Sequence, residues 1–346
     1  MEYIALDVHK HYTWARVEND QGHKLYESKL AHSRGTIKNF TKQWNPGTPV
    51  AVETVGNWYW VVDEIEAGQG SPQLVNARLA KLMIGSVNKS DKLDAKGMNR
   101  LQRSGTLPTV WIPPSSVRDA RELPRTRMVL SDQRTQLKNR IHATLGKYGL
   151  KVEGVSDAFG KRGRTIIDRL LEELPPNTRQ ALKLMLDELD HVEANLKTIE
   201  GQMREAFAPC QQTTYLQSEP GVGEMLAVVI WTEIGTIERF GRAEQLASYA
   251  GLVPRENSSG GKVRYGRVRR DVNLYLKWAF VEAANSAVLN RERCEYTHVS
   301  RLYDRVKAKR GHGKAIVAVA RHLAEASFWM LKKGESYREP VSFTQG

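Results

Sequence analysis

Ile4-Ala5-Leu6-Asp7-Val8 is a short apolar run that delivers a carboxylate near its end, and Val50-Ala51-Val52-Glu53-Thr54 does the same further along the chain. Both have the length and composition of a buried strand. Ser90-Asp91-Lys92-Leu93-Asp94-Ala95 adds two acids three positions apart in a helical pattern, so they share one face of the helix. Four carboxylates converging on one point repel and raise one another's pKa unless cations neutralise them. Two Mg²⁺ ions do that, and they also clamp both oxygens of a phosphodiester during an in-line displacement. Any one of these acids alone reads more simply as a turn former or a helix cap. It is the quartet, each member on the right kind of element, that points to metal-dependent nuclease chemistry.

The surroundings of the quartet predict an α/β domain. Residues 3–8 read as a strand, and Tyr12 to Val17 and Leu25 to Leu30 as its meander around Asn19-Asp20-Gln21-Gly22. A helix from Thr36 to Trp44, the strand Val50 to Glu53, a helix from Trp58 to Ala67, the strand Gln73 to Val75 and helical segments to Arg103 follow. Three meandering strands, then alternating helices and strands, is the order of a ribonuclease-H-like domain. In that fold, acids from the first strand, the fourth strand and a late helix meet at one edge of the sheet.

Charge supplies the second constraint. The 346 residues carry a net charge of +13. Between Arg255 and Arg270 stand Arg255, Lys262, Arg264, Arg267, Arg269 and Arg270 against Glu256 alone. Between Arg301 and Lys314 stand Arg301, Arg305, Lys307, Lys309, Arg310 and Lys314 against Asp304 alone. Scattered lysines make a solvated face, but two dense clusters interleaved with Tyr265, Tyr303 and His312 favour a polyanion, and nucleic acid first. No run of eighteen apolar residues exists and the N-terminus enters a strand directly, so neither a membrane span nor a signal peptide is expected. Cys210 and Cys294 form no metal-binding or disulfide framework, which fits a reducing, cytoplasmic setting.

The middle of the chain is helical. Arg118 to Leu145 carries a helical apolar pattern, with Pro124 expected to break or kink its start. Leu182, Met185, Leu189, Val192, Leu196, Ile199 and Met203 then alternate steps of three and four, a heptad seam that reads as a dimeric coiled coil or as one side of a bundle helix. Further on, Pro220-Gly221-Val222-Gly223 precedes the apolar helix Met225 to Ile234, and Gly221 and Gly223 before a helix N-terminus offer backbone N–H groups to a phosphate. After Tyr249-Ala250-Gly251-Leu252-Val253-Pro254 comes Arg255-Glu256-Asn257-Ser258-Ser259-Gly260-Gly261-Lys262, which reads as a polar loop. A serine beside two glycines can be approached closely by a bulky ligand. By composition alone, however, Ser259 is a surface-turn residue, because no histidine in the loop activates its hydroxyl. Helices at roughly 271–289, 296–309 and 314–332 close the chain.

Asp7, Glu53 and the Ser90 to Ala95 stretch, together with Pro220 to Gly223, Tyr249 to Pro254 and Ser259-Gly260, resemble in order and type the DEDD transposases of bacterial insertion sequences, the family numbered one hundred and ten. The resemblance spans essentially the whole chain. It implies a RuvC-like domain at 1–112, a helical and coiled-coil region at 113–212 and a mainly helical transposase domain at 213–346, opening on a helix-hairpin-helix-like turn. It further implies site-specific DNA recombination guided by a structured bridge RNA. Asp7, Glu53, Asp91 and Asp94 would hold Mg²⁺, with Mn²⁺ as a substitute, and Ser259 would form a 5′-phosphoserine link to DNA. The chain departs from the family pattern in two places. Ser258 precedes Ser259 where the family has one serine before its glycine, so the nucleophile is Ser258 if the register shifts by one. Val272 stands before Asn273 where a glycine is usual.

A serine-linked intermediate conserves phosphodiester energy, so no nucleotide hydrolysis is needed, and the sequence carries no Walker motif. The acids and Ser259 lie far apart in sequence, which predicts a composite site with acids from one protomer and Ser259 from another, in a dimer or a tetramer. The alternatives are a RuvC-like endonuclease that hydrolyses DNA with the acids alone, and a non-catalytic nucleic-acid-binding protein. An actin-like kinase also carries an Asp on its first strand, but it fits neither the basic clusters nor the heptad seam.

Overall fold

The computed structural model describes residues 1–54, 56–85, 90–259, 262–268, 271–291 and 298–340, without the side chains of 256–259, 262–265 and 267. The chain divides into two compact units, Met1–Pro113 and Pro114–Gly346.

In the first unit, β1 (Glu2–Val8), β2 (Tyr12–Asn19) and β3 (Lys24–Ala31) form an antiparallel meander, and the turn before β3 uses Gly22 at φ 83°. After α1 (Thr36–Thr41), β4 (Pro49–Glu53) returns parallel to β1. After α2 (Trp58–Ala67), β5 (Ser71–Val75) pairs parallel to β4, giving a five-stranded mixed sheet in the order β3-β2-β1-β4-β5. Helices α3 (Ala77–Ile84) and α4 (Asp91–Arg103) complete the unit. The strands fall where the sequence places them, and α1 stops at Thr41, short of the expected Trp44.

Alternation along the strands sorts the two faces of this sheet. Ile4, Leu6 and Val8 of β1 and Val50 and Val52 of β4 bury against Ile37, Phe40, Val61, Val62 and Ile65 of α1 and α2. Ala5 and Ala51 point the other way, into a cluster with Ala95, Met98 and Leu101 of α4. Two alanines facing a helix let it lie close to the sheet. Polar contacts fix its pose: Arg103 and Arg16 both pair with the buried Glu18, and Gln102 Nε2 donates to Gln73 at 3.1 Å.

The second unit is mainly helical. Helices α5 (Ser115–Ala120) and α6 (Glu122–Lys147) break at Arg121, so Pro124 lies in the first turn of α6, where no intrahelical N–H is lost. A helix that the sequence does not single out, α7 (Lys161–Leu171), leads to α8 (Pro176–Ala206). The buried stripe of α8 is Leu182, Leu186, Leu189, Val192, Leu196, Ile199 and Met203, with Leu186 in the place expected for Met185. This seam is filled within the chain, which corrects the expectation of a coiled coil between two chains. Helix α6 runs antiparallel to α8, with Arg127 2.7 Å from Glu200, Lys138 2.9 Å from Glu193, and Ile141 and Leu145 packed with Leu182, Leu186 and Leu189. A heptad pattern states that a helix is covered, and not by which helix.

The remainder comprises α9 (Gln211–Gln217), α10 (Glu224–Ile234), α11 (Ala243–Tyr249), α12 (Leu274–Leu289), α13 (His298–Arg310) and α14 (His312–Lys333) around one core, in which Phe280 and Phe328 are fully buried. The stretch expected to be a loop is instead a hairpin of β6 (Pro254–Ser259) and β7 (Lys262–Val268). Polar strands of this kind carry no apolar alternation for a sequence reading to detect. No described helix is long and apolar enough to cross a membrane.

Candidate active site

The alternation that points Ala5 toward α4 carries Asp7 to the same face, and Glu53 follows Ala51 in the same way on the neighbouring parallel strand. The register pairs Leu6 with Val52, so Asp7 and Glu53 are adjacent at the ends of β1 and β4. Helix α4 starts over that edge. Ser90 caps it by accepting from the Leu93 N–H, and Asp91 and Asp94 occupy the first turn, where the helix dipole favours negative charge. Asp91, Asp94, Ala95 and Met98 form one stripe, which the packing of Ala95 and Met98 turns toward the sheet. Asp7 and Asp91 thus meet at this edge, Asp94 lies near enough for its charge to act on Asp7, and Glu53 stands beside Asp7 by strand register, outside the group that could share one ion.

Sequence reading missed two further participants, His9 and Tyr12. His9 Nε2 lies 3.3 Å from Oδ2 of Asp7 and 3.3 Å from Oδ2 of Asp91. It is a buried atom and is not aligned as a hydrogen bond to either oxygen. The Tyr12 hydroxyl donates to the same Oδ2 of Asp91 at 2.8 Å. Burial holds the Asp7 carboxyl above its usual range, the charge of His9 pulls it back, and Asp91 and Asp94 push it up. Asp91 is held below its usual range, first by the bond from Tyr12, and that bond raises Tyr12 in turn. One ligand atom each from Asp7, His9 and Asp91 lies within 4.8 Å of the others, close enough for a single divalent cation to bridge them. The buried, unaligned Nε2 and the repulsion on Asp7 are both relieved by such a cation, so the donor set fits one.

In the second unit, Ser259 is the last residue of β6, paired in register with Lys262, and Ser258 pairs with Val263. Gly260, Gly261, Arg269 and Arg270 lie outside the described residues, as do the side chains of Ser259, Lys262, Arg264 and Arg267. Both stems of the hairpin are fastened to the helical core. Gly251 takes φ 67° before the first stem, and Val272, after the second, covers it so closely that a Cβ there would stand 2.6 Å from the valine side chain. The Asn273 N–H donates to the Tyr249 carbonyl at 2.9 Å, and its amide Nδ2 donates to Glu233 at 2.7 Å and to the Tyr249 hydroxyl at 3.1 Å. Glu233 is wholly buried and accepts a fork from Arg125 at 2.6 and 2.9 Å, while Arg121 donates to the Thr232 and Glu233 carbonyls.

A family model described as a DEDD transposase matches residues 4–149, and a second, described as the transposase IS116/IS110/IS902 family, matches residues 213–298. The chain belongs to the IS110/IS116/IS902 transposases. It is 27% identical to the transposase for insertion sequence element IS1111A of Coxiella burnetii over 78% of this chain and 74% of that protein. It is 26% identical to a probable family 20 transposase of Pseudomonas aeruginosa, covering 82% of this chain and 83% of that protein. Over 96% of this chain and 97% of the relative it is 22% identical to the transposase for IS1328 of Yersinia enterocolitica.

Elsewhere in this transposase, Gly221 takes φ 81° with Ala283 of α12 so near that a Cβ would meet its carbonyl oxygen at 2.0 Å, so packing requires that glycine. Gly223 is exposed before α10, but Glu224 already stands in the first turn, 3.2 Å from Arg204. The glycine turn and the end of α12 line a cavity of about 340 Å³ with Glu219, Ser286 and Asn290. Arg255 at the base of the hairpin is exposed, as are Lys307, Lys309 and Arg310 along α13.

Proposed function

We propose that this transposase cuts and rejoins DNA through a covalent phosphoserine at Ser259, with Asp7, Glu53, Asp91 and Asp94 as its metal-binding acids and a structured RNA as its guide. The observation that carries the reading is the delivery of Asp7 and Asp91, from a strand and a distant helix, to within bridging distance of one cation. The strand order β3-β2-β1-β4-β5 supports a ribonuclease-H-like, RuvC-like first domain, with the helical region from 113 and the transposase domain from 213 as the other two parts.

A Mg²⁺ ion, or Mn²⁺ in its place, held by the four acids supplies Lewis-acid stabilisation of charge on the phosphate oxygens. Ser259 Oγ attacks phosphorus, the Oγ–P bond forms, and the bond to the 3′ oxygen breaks. The proton that the seryl oxygen loses matches the one that the 3′ oxygen gains, and reversal with a different 3′-hydroxyl joins new ends. Basic residues in and beside the hairpin, Arg255, Lys262, Arg264, Arg267, Arg269 and Arg270, would neutralise phosphate and stabilise the pentacovalent centre. Lys307, Lys309 and Arg310 would hold a second polyanion segment. Guidance by RNA rests on the family resemblance and on this excess of exposed cations. Acids and serine drawn from different protomers of a dimer or tetramer complete the proposal.

The test is a trapping assay. Protein, element-derived RNA, labelled junction DNA and Mg²⁺ are quenched in denaturant and resolved on a gel. A slow covalent adduct, absent with Ser259→Ala and with Asp7→Ala, is expected. Cleaved DNA with no adduct in any variant would replace this reading with a hydrolytic endonuclease.

A further inference from the structure

The turn between β1 and β2 fixes one imidazole at the acidic edge. The His9 N–H donates to the Tyr12 carbonyl at 2.9 Å, Asn57 Nδ2 donates to the His9 carbonyl at 3.4 Å, and the His9 and Tyr12 rings stand 4.7 Å apart. Nε2 is thereby aimed between Asp7 and Asp91, equidistant at 3.3 Å from one oxygen of each. Neighbouring ligands of an octahedral ion with bonds of about 2.1 Å are separated by roughly 3 Å, so Nε2 already stands at ligand-to-ligand spacing from one oxygen of each acid, and the three atoms lie within 4.8 Å of one another. Nε2 faces both carboxylates at once and is not committed by an aligned hydrogen bond to either.

We propose that His9 Nε2 is itself a ligand of the cation held by Asp7 and Asp91, making the shell mixed in nitrogen and oxygen and favouring Mn²⁺ over Mg²⁺. The proposal rests on the metal-binding reading of the acids. Mg²⁺ holds to oxygen donors and gives up water reluctantly, whereas a transition cation accepts imidazole readily. Tyr12 has a different part: by holding the shared Oδ2 of Asp91 it orients that carboxylate beside His9.

The experiment is Mn²⁺ titration of the full-length, metal-stripped protein, read by pulsed electron paramagnetic resonance. The wild type should show nitrogen modulation from one imidazole that changes on ¹⁵N-histidine labelling, a result that needs no variant to fold. His9→Ala should lose the modulation and bind Mn²⁺ about tenfold or more weakly, and His9→Asp should restore binding with the preference turned toward Mg²⁺. Bound Mn²⁺ without nitrogen modulation, or modulation that survives in His9→Ala, overturns the proposal and leaves the acids as metal ligands. Failure of the wild type to bind Mn²⁺, or equal binding by Asp7→Ala, overturns the metal reading and this proposal together.

Discussion

Replacing Glu233 by glutamine changes no volume, yet it should be among the most costly single substitutions in the second unit. The carboxylate is 1% exposed and accepts from Arg125 twice and from Asn273 once, with Arg121 Nε 3.5 Å away. Glutamine removes the charge facing two arginines and turns one acceptor into a donor aimed at other donors. Removing one partner from a buried charge pair costs about 3–5 kcal/mol, and the retained carbonyl brings the expectation to the lower end, near 3 kcal/mol. For a unit of this size that corresponds to a fall in Tm of roughly 6–12 °C. Urea denaturation of Glu233→Gln beside Glu200→Gln tests it, because the Arg127–Glu200 pair is partly exposed, at 19% and 28%, and should contribute at most about 1 kcal/mol. If the two variants lose equal stability, the reasoning that burial makes the Glu233 network decisive is wrong.

Three further outcomes are expected. Gly221→Ala combines a left-handed backbone with a Cβ pressed into the Ala283 carbonyl, so it should lower stability by about 2–4 kcal/mol, and an unchanged Tm would refute the packing account. Burial holds the Glu219 carboxyl well above its usual range, against a smaller opposing effect of the Ser327 hydroxyl. The unfolded chain therefore releases that proton first, and stability should fall as pH rises from about 4.5 until the folded carboxyl ionises, by up to about 1.4 kcal/mol per unit. Glu219→Gln should flatten that slope, and parallel pH profiles for the two proteins would dismiss the effect. Mixing Asp7→Ala protein with Ser259→Ala protein should recover adduct formation if acids and serine act from different protomers. Recovery of heterodimers without any adduct would favour a site completed within one chain.

Much of the sheet was legible because β1 and β4 are apolar runs of strand length, each with its acid near the end, and alternation then dictates which face receives Asp7 and Glu53. Asp91 and Asp94 were legible as a pair for the same reason, through helical spacing. His9 was not, since a histidine two residues after an acid has no spacing signature until the β1–β2 turn folds it back. Glu233 was hidden inside the apolar run of α10, where only its partners on α6 and before α12 explain a buried charge. The α8 seam was visible but its partner was not, and Leu186 rather than Met185 is buried because a helix of 3.6 residues per turn drifts against strict heptads. The β6–β7 hairpin escaped because its pairing is set by the backbone and by anchors at Gly251 and Asn273.

The antiparallel pair of α6 and α8 has a practical use. Its longer member has 31 residues, which at the rise of an α-helix makes a stiff rod roughly 45 Å long. Beyond the end of α6, before α7, lies an irregular stretch, Lys151 to Ser156, in which Val152 packs against the core while Glu153 and Gly154 are exposed, Gly154 at φ 75°. Backbone there forms no ladder or helix bond that a graft would break, so this is the place to insert a fluorescent reporter. Carried at the tip of a rigid lever, such a label would turn small rotations of the helical unit into large displacements, visible one molecule at a time.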